Sequence, residues 1–167
     1  MTDAIVLFSS ARRNGNTGTL TDRVAKELDL EVIDLGEKNI SPFDYKHRNR
    51  GDDFEPLMER VIRSQHIVFA SPIYWYSVPP SMKAFIDRIS DYLDVPDLLE
   101  KGRVLRGKTG YVICTSVKDA PDEVFLDMFR QVFAYLGMAF GGYLHENSPR
   151  CSPNNEAIQN FIRLLSP

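Results

Sequence analysis

Cysteine, histidine and tryptophan are all scarce in this 167-residue chain, at two, three and one residues. Cys114 and Cys151 stand far apart, so neither a C-x-x-C redox or metal motif nor a disulfide framework is available. His47, His66 and His145 lack ligand spacing, and no metal site is expected. No apolar run approaches the roughly 20 residues of a membrane-spanning helix. The first residues lead straight into an apolar strand, without the basic, apolar and small-residue regions of a secretory signal. An excess of one charge is missing too. Lys and Arg total 20 against 23 Asp and Glu, and the net charge of −3 argues against a general nucleic-acid or membrane binder. The expected setting is a reducing cytoplasm.

What is present is an ordinary globular composition, 43% hydrophobic and 26% charged, in a chain long enough for one domain over 1–167. Ile5 to Phe8, His66 to Ser71 and Thr109 to Ser116 are apolar runs of strand length, as a parallel sheet buried on both faces requires. Leu30 to Leu35 and Met138 to Leu144 read as two more strands. Helical periods cover Thr19 to Leu28, Phe54 to Ser64, a Pro79-Pro80 start running to Leu93, Asp122 to Leu136, and Asn154 to Leu165. This alternation predicts a parallel sheet with helices on both faces and strand order 2-1-3-4-5. Ligands of such sheets sit beyond the carboxyl ends of the strands, at the switch point between strands one and three. Three unusual loops converge there, after Phe8, Ser71 and Cys114.

The first loop, from Ser9 to Gly18, joins a strand to a helix start. Unpaired N–H groups and the helix dipole make that end attractive to phosphate. Ser9, Ser10, Asn14, Asn16 and Thr17 add short polar groups, Arg12 adds a guanidinium fork, and Gly15 and Gly18 allow close backbone approach. The loop matches neither a Walker motif nor the Gly-x-Gly-x-x-Gly fingerprint, so plain helix capping is an equal reading. The second loop, Pro72 to Pro80, carries Tyr74, Trp75 and Tyr76. Aromatics of this kind cover a flat ring or anchor a core or an interface. Three in succession cannot all face one ligand, so at least one is expected to be an anchor, and Trp75 is the choice for the ring side. A phosphate loop beside an aromatic loop suits FMN.

The segments SSARRNGNT (Ser9 to Thr17) and SPIYWYSVPPSMKAFIDR (Ser71 to Arg88) together resemble the NADPH-dependent FMN reductase-like family of the flavodoxin superfamily. That resemblance implies a flavodoxin-like α/β fold and non-covalent FMN, with NAD(P)H as co-substrate. It also implies a homodimer or homotetramer. Carried over to this chain, Ser10, Arg12, Asn16 and Thr17 hold the phosphate, and Pro72, Ile73, Tyr74 and Trp75 hold the ring. Where many relatives have a glycine-rich turn after strand four, this chain has Thr115, Ser116, Val117, Lys118 and Asp119. Thr115, Ser116 and Lys118 are nevertheless included in the expected cofactor site. Lys118 reads either as a charge beside the ring or as a surface partner of Asp119 or Asp122.

The implied function is an FMN-dependent NAD(P)H oxidoreductase acting on a small acceptor: a flavin, a quinone, a nitro or azo compound, or a metal ion. The alternatives are an electron carrier between proteins and a relative that has lost flavin binding. Hydride transfer to a flavin needs positioning more than acid–base chemistry, so no catalytic side chain is nominated. Within the polar Glu37 to Asp53 stretch, a candidate lid, His47 reads as solvated and Arg48 and Arg50 as exposed. His66 and His145 read as structural and Cys114 as a buried small hydrophobe. Asp87, Asp91, Asp94 and Asp97 read as a solvated face, and Tyr92 and Leu93 as candidate interface residues.

Overall fold

The apolar runs form the middle of a five-stranded parallel sheet in a computed structural model that describes residues 3–148 and 154–165. The strands are β1 (Ala4–Phe8), β2 (Glu31–Asp34), β3 (His66–Pro72), β4 (Thr109–Ser116) and β5 (Ala139–Asn147), ordered β2-β1-β3-β4-β5. The expected flavodoxin-like order holds. The helices are α1 (Asn16–Leu28), α2 (Phe54–Arg63), α3 (Pro80–Arg88), α4 (Asp91–Asp94), α5 (Leu99–Arg103), α6 (Glu123–Leu136) and α7 (Asn155–Leu165).

Because side chains alternate across a strand, β1, β3 and β4 feed two apolar layers. Ile5, Leu7, Ile67, Phe69, Val112 and Cys114 face α2, α3 and α6, where Phe54, Phe85, Phe125, Phe129 and Phe133 pack. Val6, Phe8, Val68, Ala70, Tyr111 and Ile113 face α1 and α7. Cys114 is a buried hydrophobe as expected, and burial pushes its thiol up to about 12. Cys151 and most of the proline-bearing loop before the last helix lie outside the described residues. His66 packs its ring edge against Tyr111, with centroids 5.6 Å apart.

Two elements depart from the sequence reading. β5 runs to Asn147, three residues beyond Leu144, and pairs with the whole of β4 across a register shift at Gly110/Tyr111. Gly141 is the unpaired residue there, and a Cβ on it would lie 2.3 Å from the Tyr111 ring. The helix expected through Leu93 stops at Arg88, and Asp91 starts a separate turn. Arg88 is fully buried, and the Asp91 carboxylate lies 2.6 Å from its Nε. A buried guanidinium needs such a partner. Asp91 is therefore interior, not part of a solvated face. Tyr92 is fully buried as well, against Phe54, so it is a core residue; Leu93 is 38% exposed.

Candidate functional site

The β1–α1 loop leaves β1 at Ser9, whose N–H donates to the Ala70 carbonyl and whose side chain is buried. Its hydroxyl lies 2.6 Å from Ser81 Oγ at the start of α3, which makes Ser9 a strut between the two loops. Gly15 is the N-cap of α1, with no side-chain cap and no acidic residue in the first turn. Among the described residues, no side-chain cap and no first-turn acid compensates the positive end of this 13-residue helix. Gly18 is demanded by packing: a Cβ there would lie 1.8 Å from the Arg13 carbonyl oxygen.

The neighbouring arginines have opposite fates. Arg13 makes two bonds to Asp22, at 3.0 and 2.5 Å, and covers the Phe8 ring at 4.9 Å. The exposed Arg12 guanidinium makes no hydrogen bond or ion pair to any described residue. It is free to meet an anion. Ser10 Oγ accepts a long bond from the Arg12 N–H at 3.4 Å, and Asn14 is exposed. The Asn16 amide reaches the Ser148 carbonyl at 3.5 Å, and Thr17 is buried with its hydroxyl 2.6 Å from that of Thr115. The Thr17–Thr115 contact joins the first loop to the third, and the Asn16–Ser148 contact joins it to the end of β5.

The second loop begins when the Ile73 N–H donates to the Thr115 carbonyl. Tyr74 and Ser77 then exchange both backbone bonds, at 2.9 and 3.0 Å, around Trp75 and Tyr76 at φ 49° and 66°. Two successive residues at positive φ mark a type I′ turn, which favours Asn-Gly; each non-glycine residue there costs roughly 1–2 kcal/mol. The N–H groups of both tip residues have no acceptor among the described residues. None of the three aromatics is a core anchor, since Tyr74, Trp75 and Tyr76 are 41, 94 and 55% exposed. An exposed, strained aromatic turn has no stability rationale of its own.

The third loop closes the cleft. Ser116 accepts the Lys118 N–H at 3.2 Å, and Lys118 pairs with Asp122, which raises its pKa. Its ammonium also lies 5.2 Å from the Tyr76 ring centroid. The surface-pair reading of Lys118 holds, yet the pair lines the same cleft. Pro72 to Tyr76 and Thr115 to Lys118 surround about 400 Å³, a volume in the range of small-molecule sites. A groove of about 460 Å³ lies between Ile86, Ile89 and Leu93 on one side and Val132 and Tyr135 on the other. It sits toward the carboxyl ends of α3 and α6, the opposite end of the sheet from the switch point.

All the nominated positions thus lie at one sheet edge: Ser9, Ser10, Arg12, Asn14, Asn16 and Thr17 on the phosphate side, and Pro72, Ile73, Tyr74, Trp75, Thr115, Ser116 and Lys118 on the ring side. Sequence reasoning left Tyr76, Val117 and Asp122 out of the expected cofactor site and did not mark Ser148; all four line the cleft. Nor did it mark His145, whose Nε2 lies 2.9 Å from Ser116 Oγ across the β4–β5 pair. Its only sequence signal is its place at the end of β5, opposite Cys114.

The residues fit FMN on this geometry. An uncapped helix end and a free Arg12 suit a phosphate, and an aromatic cleft bonded to that loop suits a ring. A sequence profile described as NADPH-dependent FMN reductase matches residues 2–143. Bacillus subtilis YwqN, provisionally named an NAD(P)H-dependent FMN-containing oxidoreductase, is 31% identical over 96% of this chain and 94% of its own. An FMN-dependent NADH:quinone oxidoreductase of Stenotrophomonas maltophilia is 24% identical over 98% and 91%. The solved structure of the Trp repressor binding protein from Bacillus subtilis superposes with a TM-score of 0.75, at 25% identity over 98% and 97% of the two chains. With its profile match spanning most of the sequence and a relative 31% identical over nearly its whole length, the chain belongs to the NADPH-dependent FMN reductase family.

Proposed function

We propose that this chain carries two electrons from a reduced nicotinamide, by way of FMN, to a small acceptor, as one flavodoxin-like domain over 1–167. Bound FMN supplies a ring that accepts a hydride and returns two electrons. The protein supplies placement. Arg12 and the first-turn N–H groups of α1 neutralise the phosphate, with Ser10 and Asn16 as further donors. Backbone N–H groups of Trp75 and Tyr76 are available to ring oxygens or nitrogens, and the exposed Trp75 indole is the ring-side cover. No described side chain is needed as a general acid or base, because positioning and electronics dominate flavin chemistry.

The observation that carries this reading is the free Arg12 guanidinium at an uncapped helix end, joined through the Thr17–Thr115 bond to an aromatic cleft. A quinone is the favoured acceptor, since the Stenotrophomonas relative is named for quinone reduction. NADPH as the donor and a homodimer or homotetramer in the cytoplasm complete the proposal. Among the described residues no helix is long and apolar enough to cross a membrane. The net charge of −3 disfavours a carrier that docks electrostatically on protein partners.

The test is the visible spectrum of the purified protein after FMN loading and removal of excess. A retained flavin band that bleaches anaerobically with NADPH, and recovers on adding a quinone, is the expected result. A retained band that neither nicotinamide bleaches would make the protein an electron carrier instead. Failure to retain flavin would point to the Thr115 to Asp119 loop as a lost site.

A further inference from the structure

Ser116 is a ring-cleft hydroxyl that also touches a titratable group outside that cleft. Its Oγ lies 2.9 Å from His145 Nε2, and the half-buried His145 ring lines a second hollow of about 380 Å³ with Asp119, Tyr143, Asn160 and Phe161. A serine hydroxyl has one proton and two lone pairs. The Lys118 N–H occupies one lone pair. His145 therefore decides the rest. A neutral ring with its hydrogen on Nδ1 accepts the Ser116 proton at Nε2, which leaves a lone pair for the ring cleft. A protonated ring donates from Nε2, fills that lone pair, and frees the Ser116 proton toward the cleft.

We propose, resting on the FMN reading of the cleft, that His145 is a positioning residue whose protonation, acting through Ser116, switches one wall of the ring site from acceptor to donor. The polar edge of a flavin ring presents two carbonyl oxygens and two ring nitrogens against a single N–H, so the donor state is the one that binds it. The proton reaches His145 from the second hollow and not through the flavin cleft. Burial lowers the His145 pKa, opposed by Glu146 beside it on β5 and by Asp119 and Asp122 from the β4–α6 connection. Lys118 neutralises Asp122, and α7 adds the uncharged Asn160 to the hollow. The neutral ring thus prevails at neutral pH, its hydrogen on Nδ1 in the proposed acceptor state, and the donor state grows as pH falls.

The experiment compares FMN dissociation constants from pH 8 to pH 5 for the wild type, H145Q, S116A and the double variant. The FMN phosphate titrates in the same range, and referring each value to H145Q cancels that contribution. The ratio of the H145Q constant to the wild-type constant should rise about tenfold on acidification, the equivalent of a one-unit rise in the His145 pKa on binding. S116A and the double variant should follow H145Q, because either change breaks the same link. In the protein without FMN, the His145 nitrogen shifts should report the Nδ1–H form at pH 8, and added FMN should raise the midpoint of their titration. Thermal melting at pH 8 checks that the variants remain folded. A constant ratio, or a His145 titration that ignores FMN, overturns the switch while the FMN site stands. A neutral ring holding its hydrogen on Nε2 overturns it as well. Absence of FMN binding by the wild type at every pH overturns both the switch and the reading on which it rests.

Discussion

Two polar loops of this protein use the same residue types to opposite ends. Among the described residues, the Ser9 to Gly15 loop leaves the Arg12 guanidinium and the first turn of α1 without a charged or capping partner. The Glu37 to Asp53 loop binds Asp44, Arg48, Arg50, Asp52 and Asp53 within the fold. Asp52 accepts from Arg88 at 2.6 Å and from the Ser41 N–H at 2.9 Å, while His47 Nδ1 lies 2.8 Å from Asp91. Arg50 bridges Glu55 and Asp97, and Arg48 pairs with Asp44. His47 is therefore not solvated, and the two arginines are engaged. None of the 37–53 residues lines the ring-side cleft. Unpartnered charge marks a surface held ready for a ligand, whereas partnered charge holds a long loop in place without secondary structure.

The sharpest way to break this contrast is at Arg88, the buried hub of the second loop. Arg88→Met leaves Asp52 and Asp91 buried without their cation and should cost about 3–5 kcal/mol in urea unfolding. A loss below 1 kcal/mol would mean that the ion cluster does not hold the loop. Arg12→Ala should do the reverse. Its melting temperature should match the wild type, while FMN affinity falls roughly tenfold to a hundredfold, as loss of a charge-assisted phosphate contact implies. Unchanged affinity by flavin fluorescence titration would put the phosphate elsewhere.

Acid titration sharpens the same comparison at intermediate size. Burial opposes the charge on Asp52, but the Arg88 guanidinium and the N–H groups of Ser41 and Phe54 outweigh it and lower the carboxyl pKa. A depressed folded-state pKa contributes stability above the unfolded value, near 4, and loses it as pH falls through the folded one. Stability of the wild type should therefore drop steeply below about pH 4, and the drop should be shallower in Arg88→Met. Equal slopes in the two proteins would remove Asp52 from the account. The smallest effect is expected at Trp75. Trp75→Asn places a residue tolerant of positive φ in the turn and should raise stability by about 1 kcal/mol while weakening FMN binding. A variant that is less stable would mean that the indole packs usefully despite its exposure.

The fold was legible because its signals are local and repeated. Continuous apolar runs mark β1, β3 and β4, and helical periods mark the intervening helices. The misjudged places are those where a distant group outweighs the local pattern. The helical period continues past Arg88, yet the chain tightens there into turns in which the Ile89, Ser90 and Tyr92 N–H groups bond three residues back. Tyr92 reads as a candidate interface residue, but the Phe54 side of the core encloses it. In the site, the phosphate loop could be read from its composition, whereas the Ser9–Ser81 strut and the Ser116–His145 pair join residues 72 and 29 positions apart.

By itself, the sequence determined the alternating α/β fold, the place of the ligand edge and the two loops that converge on it. Those features follow from side-chain periodicity, loop chemistry and the handedness of parallel connections, all properties of short stretches. Only the tertiary structure decided which of two adjacent arginines stays free. It also decided which acids are buried and which hydroxyl links the ring cleft to a histidine. Charge and hydrogen-bond capacity are satisfied by whatever lies within about 3 Å, and the packing of elements distant in sequence sets what that is.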